Sequence, residues 1–368
     1  MQHIHTDPIL LNPGPVNVSE RVRRAMCAPD MCHREPEFSD LHEDVRRKLL
    51  NVYGLSPDEF SAVLISGSGT AAVESAVCGA VGRDERLLVM SNGVYGERMA
   101  EMARIHGIEY EAITSEWGAL LDAAALDERL AAGGVAALAL VHHETTTGVL
   151  NDVAALAQIA SRHGVRTIVD AVSSFAGEFL DFTHLGFVTG TSNKCIHGIP
   201  GISFVILNRS ALSSVAEYTP RSLYLDLRNY AEAADAGVPA FTPAIPALYV
   251  LNEALDELLE EGLAARIELY RKRSSLIRDA AQRSGYSLFC DPIRMGSSLT
   301  SIMLPPGLSY EALHDRLKAD GFVIYAGQGG LRVRLFRIAN MGSIAWGDLE
   351  RLGALLEDVI HMRDDGQG

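Results

Sequence analysis

From Phe60 onward the chain alternates short apolar runs with longer segments whose apolar residues recur at helical spacing. The runs Ala62–Ile65, Arg86–Met90, Ile108–Ile113, Val135–Val141 and Arg166–Asp170 predict strands. Between them the spacing predicts helices over Ala71–Val81 and Tyr95–His106, a helix from Asp122 or Asp127 to Ala132, and Val153–His163 capped by Asp152. The stretch VAALALV carries no polar alternation, as in a parallel strand covered on both faces. The pattern predicts an α/β domain with a largely parallel sheet. Ser203–Leu207 follows Phe187–Val188 too closely to leave room for a crossover helix, so it is expected antiparallel to its predecessor.

The flanks read differently. Residues 1–20 form an extended arm, in which Ile9-Leu10-Leu11 is stopped by the turn Asn12-Pro13-Gly14-Pro15. Ser19 caps a short helix, Glu20–Met26; Cys32–Phe38 is a polar loop; Phe38–Tyr53 has helical spacing. Tyr218–Tyr230 reads as irregular, and Ala247 to about Arg283 as a long helical region broken near Gly262. The tail predicts strands near Leu288–Cys290, Leu299–Leu304, Phe322–Tyr325 and Leu331–Ile338, with helices at Tyr310–Ala319 and Trp346–Met362. The expected organisation is an arm over 1–20, a large domain over 21–250 and a small C-terminal α+β domain over 251–368, with the N-terminal segment packing on the small domain.

Composition narrows the choice. The 368 residues, 48% hydrophobic, suffice for a large core. A formal net charge of −15 without a basic patch argues against nucleic acid as a partner. The five cysteines are scattered and form no CxxC pair, so neither zinc nor a disulfide framework is expected, and a reducing cytoplasm fits. No apolar run is long enough to predict a membrane span, and MQHIHTDPILLNPGP lacks the basic and apolar regions of a secretion signal.

Polar clusters stand where the strands end, and α/β sheets gather ligands at that edge. Ser66-Gly67-Ser68-Gly69-Thr70 precedes a helix and offers N–H groups to a phosphate, although it has no P-loop lysine and alone equally suits a tight connection. Tyr95, at a strand-to-helix junction, is either a stacking ring or an apolar anchor. His142 and His143 are adjacent and point opposite ways in extended chain, a poor metal site, so no metal is expected. Asp170 closes the run Thr167-Ile168-Val169, and Lys194 follows in a loop of small and hydroxyl residues. A pyridoxal phosphate enzyme needs such a pair, a lysine that bonds the cofactor and an acid beside its ring nitrogen. The pair alone equally fits a surface lysine and a helix-capping aspartate.

The ordered motifs LNPGPVNVSERVRRAM, SGSGTAAVE, MSNGVYGERM, VHHETTTGVLN, IVDAVSSF, SNKCIHGIPGISFV, PRSLYLDL, GFVIYAG and FRIANMG cover nearly the whole chain. With them the chain resembles the class V, fold-type I pyridoxal phosphate aminotransferases. The form around the lysine is most similar to the branch that moves the amino group of 2-aminoethylphosphonate to pyruvate. The resemblance implies a mostly parallel seven-stranded sheet, bound pyridoxal 5′-phosphate and a homodimer with shared active sites. It assigns Lys194 to covalent attachment and proton transfer, Asp170 to the ring nitrogen, Tyr95 to the ring face and Thr145 to the ring hydroxyl. Ser68, Gly69 and Thr70 would hold the phosphate, with Thr242 joining from the neighbouring subunit. Arg337, otherwise a surface salt bridge, would grip the substrate carboxylate or phosphonate. Two departures are expected near the substrate pocket. HREPEF at 33–38 resembles the loop of alanine–glyoxylate and serine–pyruvate transaminases, and His197 stands where a glutamine is usual. The alternatives are therefore those two activities or a related aminophosphonate donor.

Overall fold

The computed structural model describes residues 8–364. The first residues of the expected arm, 1–7, lie outside the described residues, as do 365–368. Seven strands make the central sheet, in the order Phe60–Gly67, Gly201–Asn208, Phe187–Thr191, Arg166–Asp170, Ala137–Val141, Arg86–Ser91 and Glu109–Thr114. From Phe187–Thr191 to Glu109–Thr114 the neighbours are parallel. Gly201–Asn208 runs antiparallel to both its neighbours, as the short connection before it requires.

Alternate residues of these strands feed two apolar clusters. Leu64, Leu88, Leu138 and Val169 pack against the helices Pro36–Asn51, Val153–Arg162 and Ile245–Glu261. Val63, Ile65, Leu87 and Ile168 pack against Gly69–Gly79 and Val94–Ile105. Every residue of Ala137–Val141 is buried, whereas the edge strand Glu109–Thr114 alternates towards solvent. The sheet is packed closely enough to demand a glycine at one point. Gly190 faces Phe204 across the strand pair, and a Cβ there would overlap the Phe204 ring. That ring is held edge-on to Phe175 at 4.8 Å.

After Gly262 the helix Leu263–Arg283 leads to an antiparallel sheet of Leu299–Met303, Leu335–Ala339 and Tyr325–Ala326. A third cluster lies here, and it includes Leu11 of the arm. Ile9–Leu10 pairs in parallel with Phe322–Val323, and the Ala339 amide donates to the Leu11 carbonyl at 2.7 Å.

Several sequence expectations need correction. The expected strand Leu331–Ile338 is Leu335–Ala339; Gly329–Leu331 is a 3-10 turn, and Arg332–Arg334 are exposed because this turn carries them off the sheet. Phe322–Tyr325 splits between two sheets. The end of the irregular segment is a helix, Leu227–Asp235, capped by Asp226 with Leu227, Tyr230, Ala231 and Ala234 buried. The helix expected from Phe38 begins at Pro36, whose missing N–H costs nothing in a first turn. The helix expected from Ala71 begins at Gly69, with Ser68 as its cap residue.

Gly190→Ala should lower stability by about 1–3 kcal/mol, because Phe204 cannot yield without disturbing Phe175. A urea-unfolding midpoint unchanged from the native protein would show that the ring has room to move.

Candidate active site

At the carboxyl ends of the parallel strands, Ser68, Gly69, Thr70, Tyr95, Asp170, Lys194 and Arg337 line one cleft of about 300 Å³. They come from five separate stretches of chain, and each is placed by a different local device.

Asp170 is the last residue of its strand and is buried. Its Oδ1 accepts from the Val172 amide at 2.9 Å. Burial pushes its carboxyl above the usual range; the Val172 bond and the charges of Lys194 and Arg98 pull the other way without cancelling the shift. A cationic group in the cleft would offset that cost.

Lys194 is buried in the loop between the strands Phe187–Thr191 and Gly201–Asn208. Its Nζ donates to the Ser173 hydroxyl at 2.7 Å and stands 5.8 Å from the Tyr95 ring centre. The loop is closed by His197 N–H to the Lys194 carbonyl at 2.9 Å and Gly198 N–H to the Ser192 carbonyl at 2.8 Å. The arm passes against it. Gly14 has φ +92°, and a Cβ there would lie 2.9 Å from the Asn193 carbonyl and 3.0 Å from Lys194 Cγ. Only glycine meets both conditions.

The helix Gly69–Gly79 points its N-terminus into the cleft. The Ser68 side chain makes no capping bond, so its hydroxyl and the Gly69 and Thr70 amides are available to an anion, while the Ala71 amide is taken by the Ser68 carbonyl. Gly69 is pressed against Val172, whose side chain would lie 2.7 Å from an added Cβ. Arg98, unnoticed in the sequence, lies 4.8 Å over the Tyr95 ring and reaches the Thr70 hydroxyl at 3.4 Å. It too lines the cleft.

Tyr95 and Arg98 ride on Val94–Ile105, a helix whose cap residue is Gly93 and which has no side-chain cap of its own. Glu144 substitutes from the end of a neighbouring strand. Its Oε2 accepts from the Tyr95 and Gly96 amides at 3.1 and 3.3 Å, and its Oε1 from the Thr146 amide at 3.1 Å. The Thr146 hydroxyl accepts from the Val94 amide at 3.2 Å. Any side chain on Gly93 would strike Glu144. Burial raises the Tyr95 phenol, but Lys194, neighbouring hydrogen-bonding groups and Arg337 outweigh it and leave the phenol below its usual value.

Arg337 is 1% exposed, so it is no surface salt bridge. Its Nε donates to the Ala326 carbonyl at 2.9 Å, and its Nη1 to the Thr145 carbonyl at 2.8 Å and the Gln328 side chain at 3.3 Å. All three acceptors are neutral, and among the described residues no carboxylate pairs with it. Burial lowers its pKa, yet a guanidinium keeps its charge.

Thr145 and Thr242 are not among the residues lining this chain's cleft, and the HREPEF segment and His197 lie off it. Thr145 is fully buried beside the cleft, with its hydroxyl next to the Tyr95 phenol. Thr242 is exposed beside Tyr224 and Phe241, away from the Lys194 cleft of its own chain. The HREPEF segment is mostly exposed and does not line the cleft; only Phe38 is buried, at the start of its helix. His197 has a left-handed backbone at φ +67°, does not line the cleft and bonds Tyr270, in the helix Leu263–Arg283, and Gly342. His142 and His143 are both buried, and burial holds them down to about 3 and about 4. Among the described residues no group of side chains is arranged to hold a metal ion.

The family model described as aminotransferase class-V matches residues 21–345. The chain belongs to the class V aminotransferases. A 2-aminoethylphosphonate–pyruvate transaminase of Bacteroides fragilis is 35% identical over 95% of this chain and 98% of its own. One of Aeromonas hydrophila is 37% identical over 94% of each chain. Among solved structures, the alanine–glyoxylate aminotransferase of Nostoc sp. matches with a TM-score of 0.91 and 26% identity, covering 96% of both chains. The fold of this class V aminotransferase is thus α/β, with the mixed seven-stranded sheet of the fold-type I enzymes. No helix among its described residues is long and apolar enough to cross a membrane.

A carboxyl raised by folding stabilises the fold while protonated, below its unfolded value, and that contribution is lost as pH rises through the folded value. Above both values Asp170 is a buried charge that costs stability. Asp170→Asn removes the charge and can keep the Val172 bond through its amide oxygen. The cofactor-free variant should melt higher than cofactor-free native protein at pH 8, by about 2–4 °C. The difference should shrink as pH falls towards 4. Calorimetry showing the variant less stable at pH 8 would contradict the desolvation argument.

Proposed function

We propose that this aminotransferase uses pyridoxal 5′-phosphate to move the amino group of 2-aminoethylphosphonate to pyruvate in two half-reactions. The products are phosphonoacetaldehyde and L-alanine. The observation that carries this reading is Arg337, a buried guanidinium without an anionic partner, lining the same cleft as Lys194. The names of relatives 35% and 37% identical along nearly their full length support the choice of donor and acceptor.

The residues of the cleft suit the cofactor. Ser68, Gly69 and Thr70 would hold its phosphate at the helix N-terminus, with Arg98 beside them. Asp170, otherwise a buried and underpaired acid, would take the protonated ring nitrogen. Tyr95 would cover one face of the ring, and the buried Thr145 hydroxyl beside it would meet the ring oxygen. When bound, pyridoxal phosphate supplies a carbonyl carbon that accepts and releases the amino group and a ring that draws electrons from the substrate carbon.

The protein's own part is positioning and proton transfer. Arg337 holds the carboxylate of pyruvate or alanine, or the phosphonate of the donor, through paired N–H groups. Lys194 Nζ would be the attachment point for the cofactor and the group that moves a proton to or from the substrate carbon. Ser173, 2.7 Å from Nζ, orients the amine between those tasks. A homodimer belongs to the same proposal. Thr242 lies in an exposed region beside Tyr224, next to Leu223 at 82% exposure, and would complete a phosphate site of the adjoining subunit.

The similarity to the Nostoc enzyme favours a second reading, alanine–glyoxylate transamination, and the HREPEF segment adds serine–pyruvate transamination to it. A donor panel separates the two. 2-Aminoethylphosphonate with pyruvate should yield alanine, Lys194→Ala should abolish turnover, and Arg337→Ala should raise KM for pyruvate about 10- to 100-fold. Glyoxylate preferred over pyruvate, with alanine or serine as donor, would select the second reading.

A further inference from the structure

His197 is the residue whose surroundings the reaction leaves unexplained. It lies three positions past Lys194, and its amide closes the lysine loop on the Lys194 carbonyl. Its backbone is left-handed at φ +67°, a conformation histidine tolerates better than most residues. The ring is buried against Tyr270, with Nε2 2.6 Å from the Tyr270 hydroxyl and 2.9 Å from the Gly342 amide nitrogen. A backbone amide can only donate, so Nε2 carries the lone pair and the ring proton sits on Nδ1. Burial and the neighbouring Arg266 and Arg273 keep the ring neutral.

Gly342 sits five positions past Arg337, in the turn that ends its strand. That turn is rigid. Arg273 donates to the carbonyls of Asn340 and Gly342 at 3.0 Å and of Ile344 at 2.7 Å. Ser343 N–H reaches the Asn17 carbonyl at 2.7 Å, and a side chain on Gly342 would meet that carbonyl at 2.6 Å. On the other side, Arg266 Nη1 fixes the Cys195 carbonyl at 2.7 Å. One imidazole therefore joins the loop that carries Lys194 to the turn behind Arg337.

We propose that His197 is a positioning residue that fixes the lysine loop against the strand of Arg337, so that a substrate held by Arg337 meets Lys194 in register. The proposal rests on the roles given above to those two residues. A displacement of about 1 Å between a held substrate and its proton carrier is enough to cost about 100-fold in rate.

The test is a double-mutant cycle on the holoenzyme, followed as the change of cofactor absorbance in a single half-reaction with L-alanine. Alanine carries a carboxylate and no phosphonate, so it serves under either reading of the donor. His197→Leu removes the acceptor, and His197→Gln restores one through its amide oxygen. His197→Leu should slow the saturated half-reaction about 10- to 100-fold with Arg337 intact. It should matter by no more than about twofold in an Arg337→Ala background, and His197→Gln should recover most of the loss. A general loosening of the fold would act equally in both backgrounds, and additive effects would overturn the proposal.

Amide hydrogen exchange supplies a readout that needs no turnover. In His197→Leu, exchange should rise together in segments 192–198 and 340–344, and His197→Gln should restore both. A rise in one segment alone would overturn the tie. A native enzyme inert to L-alanine would remove the alanine-linked reading of the reaction, and the exchange result would then decide the tie by itself.

Discussion

The Glu144 carboxylate is wholly buried, and it accepts from backbone amides of two separate stretches of chain. The helix end it covers carries a partial positive charge and amides with no partner of their own, so the anion and the helix satisfy each other. That one contact sets the height of Tyr95 and Arg98 above the sheet. The residues next to it in sequence do the same for the opposite wall. The Thr145 carbonyl holds Arg337, and the Thr146 hydroxyl approaches Gln328 at 3.3 Å. Burial still raises the Glu144 carboxyl above its usual value, so the amides only partly repay its desolvation. Both sides of the cleft therefore make hydrogen bonds to one turn, Glu144 to Thr146.

Within that frame the cleft is cationic although the chain is acidic. Lys194, Arg98 and Arg337 line it, with Asp170 as the acid facing them. A formal charge of −15 describes the outer surface and says little about a buried site with a low dielectric. What the cleft selects is set by a few charges at fixed spacing, and a buried guanidinium without an anion is costly unless an anionic ligand visits it.

Much of this was legible in the sequence, because the chemistry is tied to strand ends. Asp170 closes a strand, Ser68–Thr70 open a helix, and Lys194 lies between two strands too close for a crossover, all visible from apolar runs alone. The family motifs supplied the roles. The remainder was hidden for identifiable reasons. Arg98 stands at ordinary helical spacing, and nothing local distinguishes it from a solvated arginine. Glu144 was visible within HHETTTG, but its partner helix starts fifty residues earlier, and pattern reading does not pair distant stretches. Arg332 and Arg334 imitate strand alternation, yet a Gly-Gly turn removes them from the sheet. His197 departs from the resemblance's usual glutamine beside the lysine, and nothing local in the sequence shows that its ring bonds Tyr270 and Gly342 instead of facing the cleft. Thr242 does not line the cleft of its own chain, and only the resemblance, not any local pattern, gives it a role in a neighbouring subunit's site.

The arm has a consequence for how the molecule is made. Its Asn12–Pro15 turn forms part of the wall beside Lys194, yet its strand pairs with Phe322–Val323 and Leu11 bonds Ala339. These partners are more than three hundred residues away along the chain. During synthesis from the N-terminus, the first wall segment must wait for nearly the last strands before it can settle. The sheet from Phe60 to Asn208 can assemble earlier, with its lysine loop open on the arm side. Closure of the cleft thus falls late in the life of the nascent chain, and a ribosome-bound fragment ending before residue 322 holds Lys194 without the arm that walls its cleft.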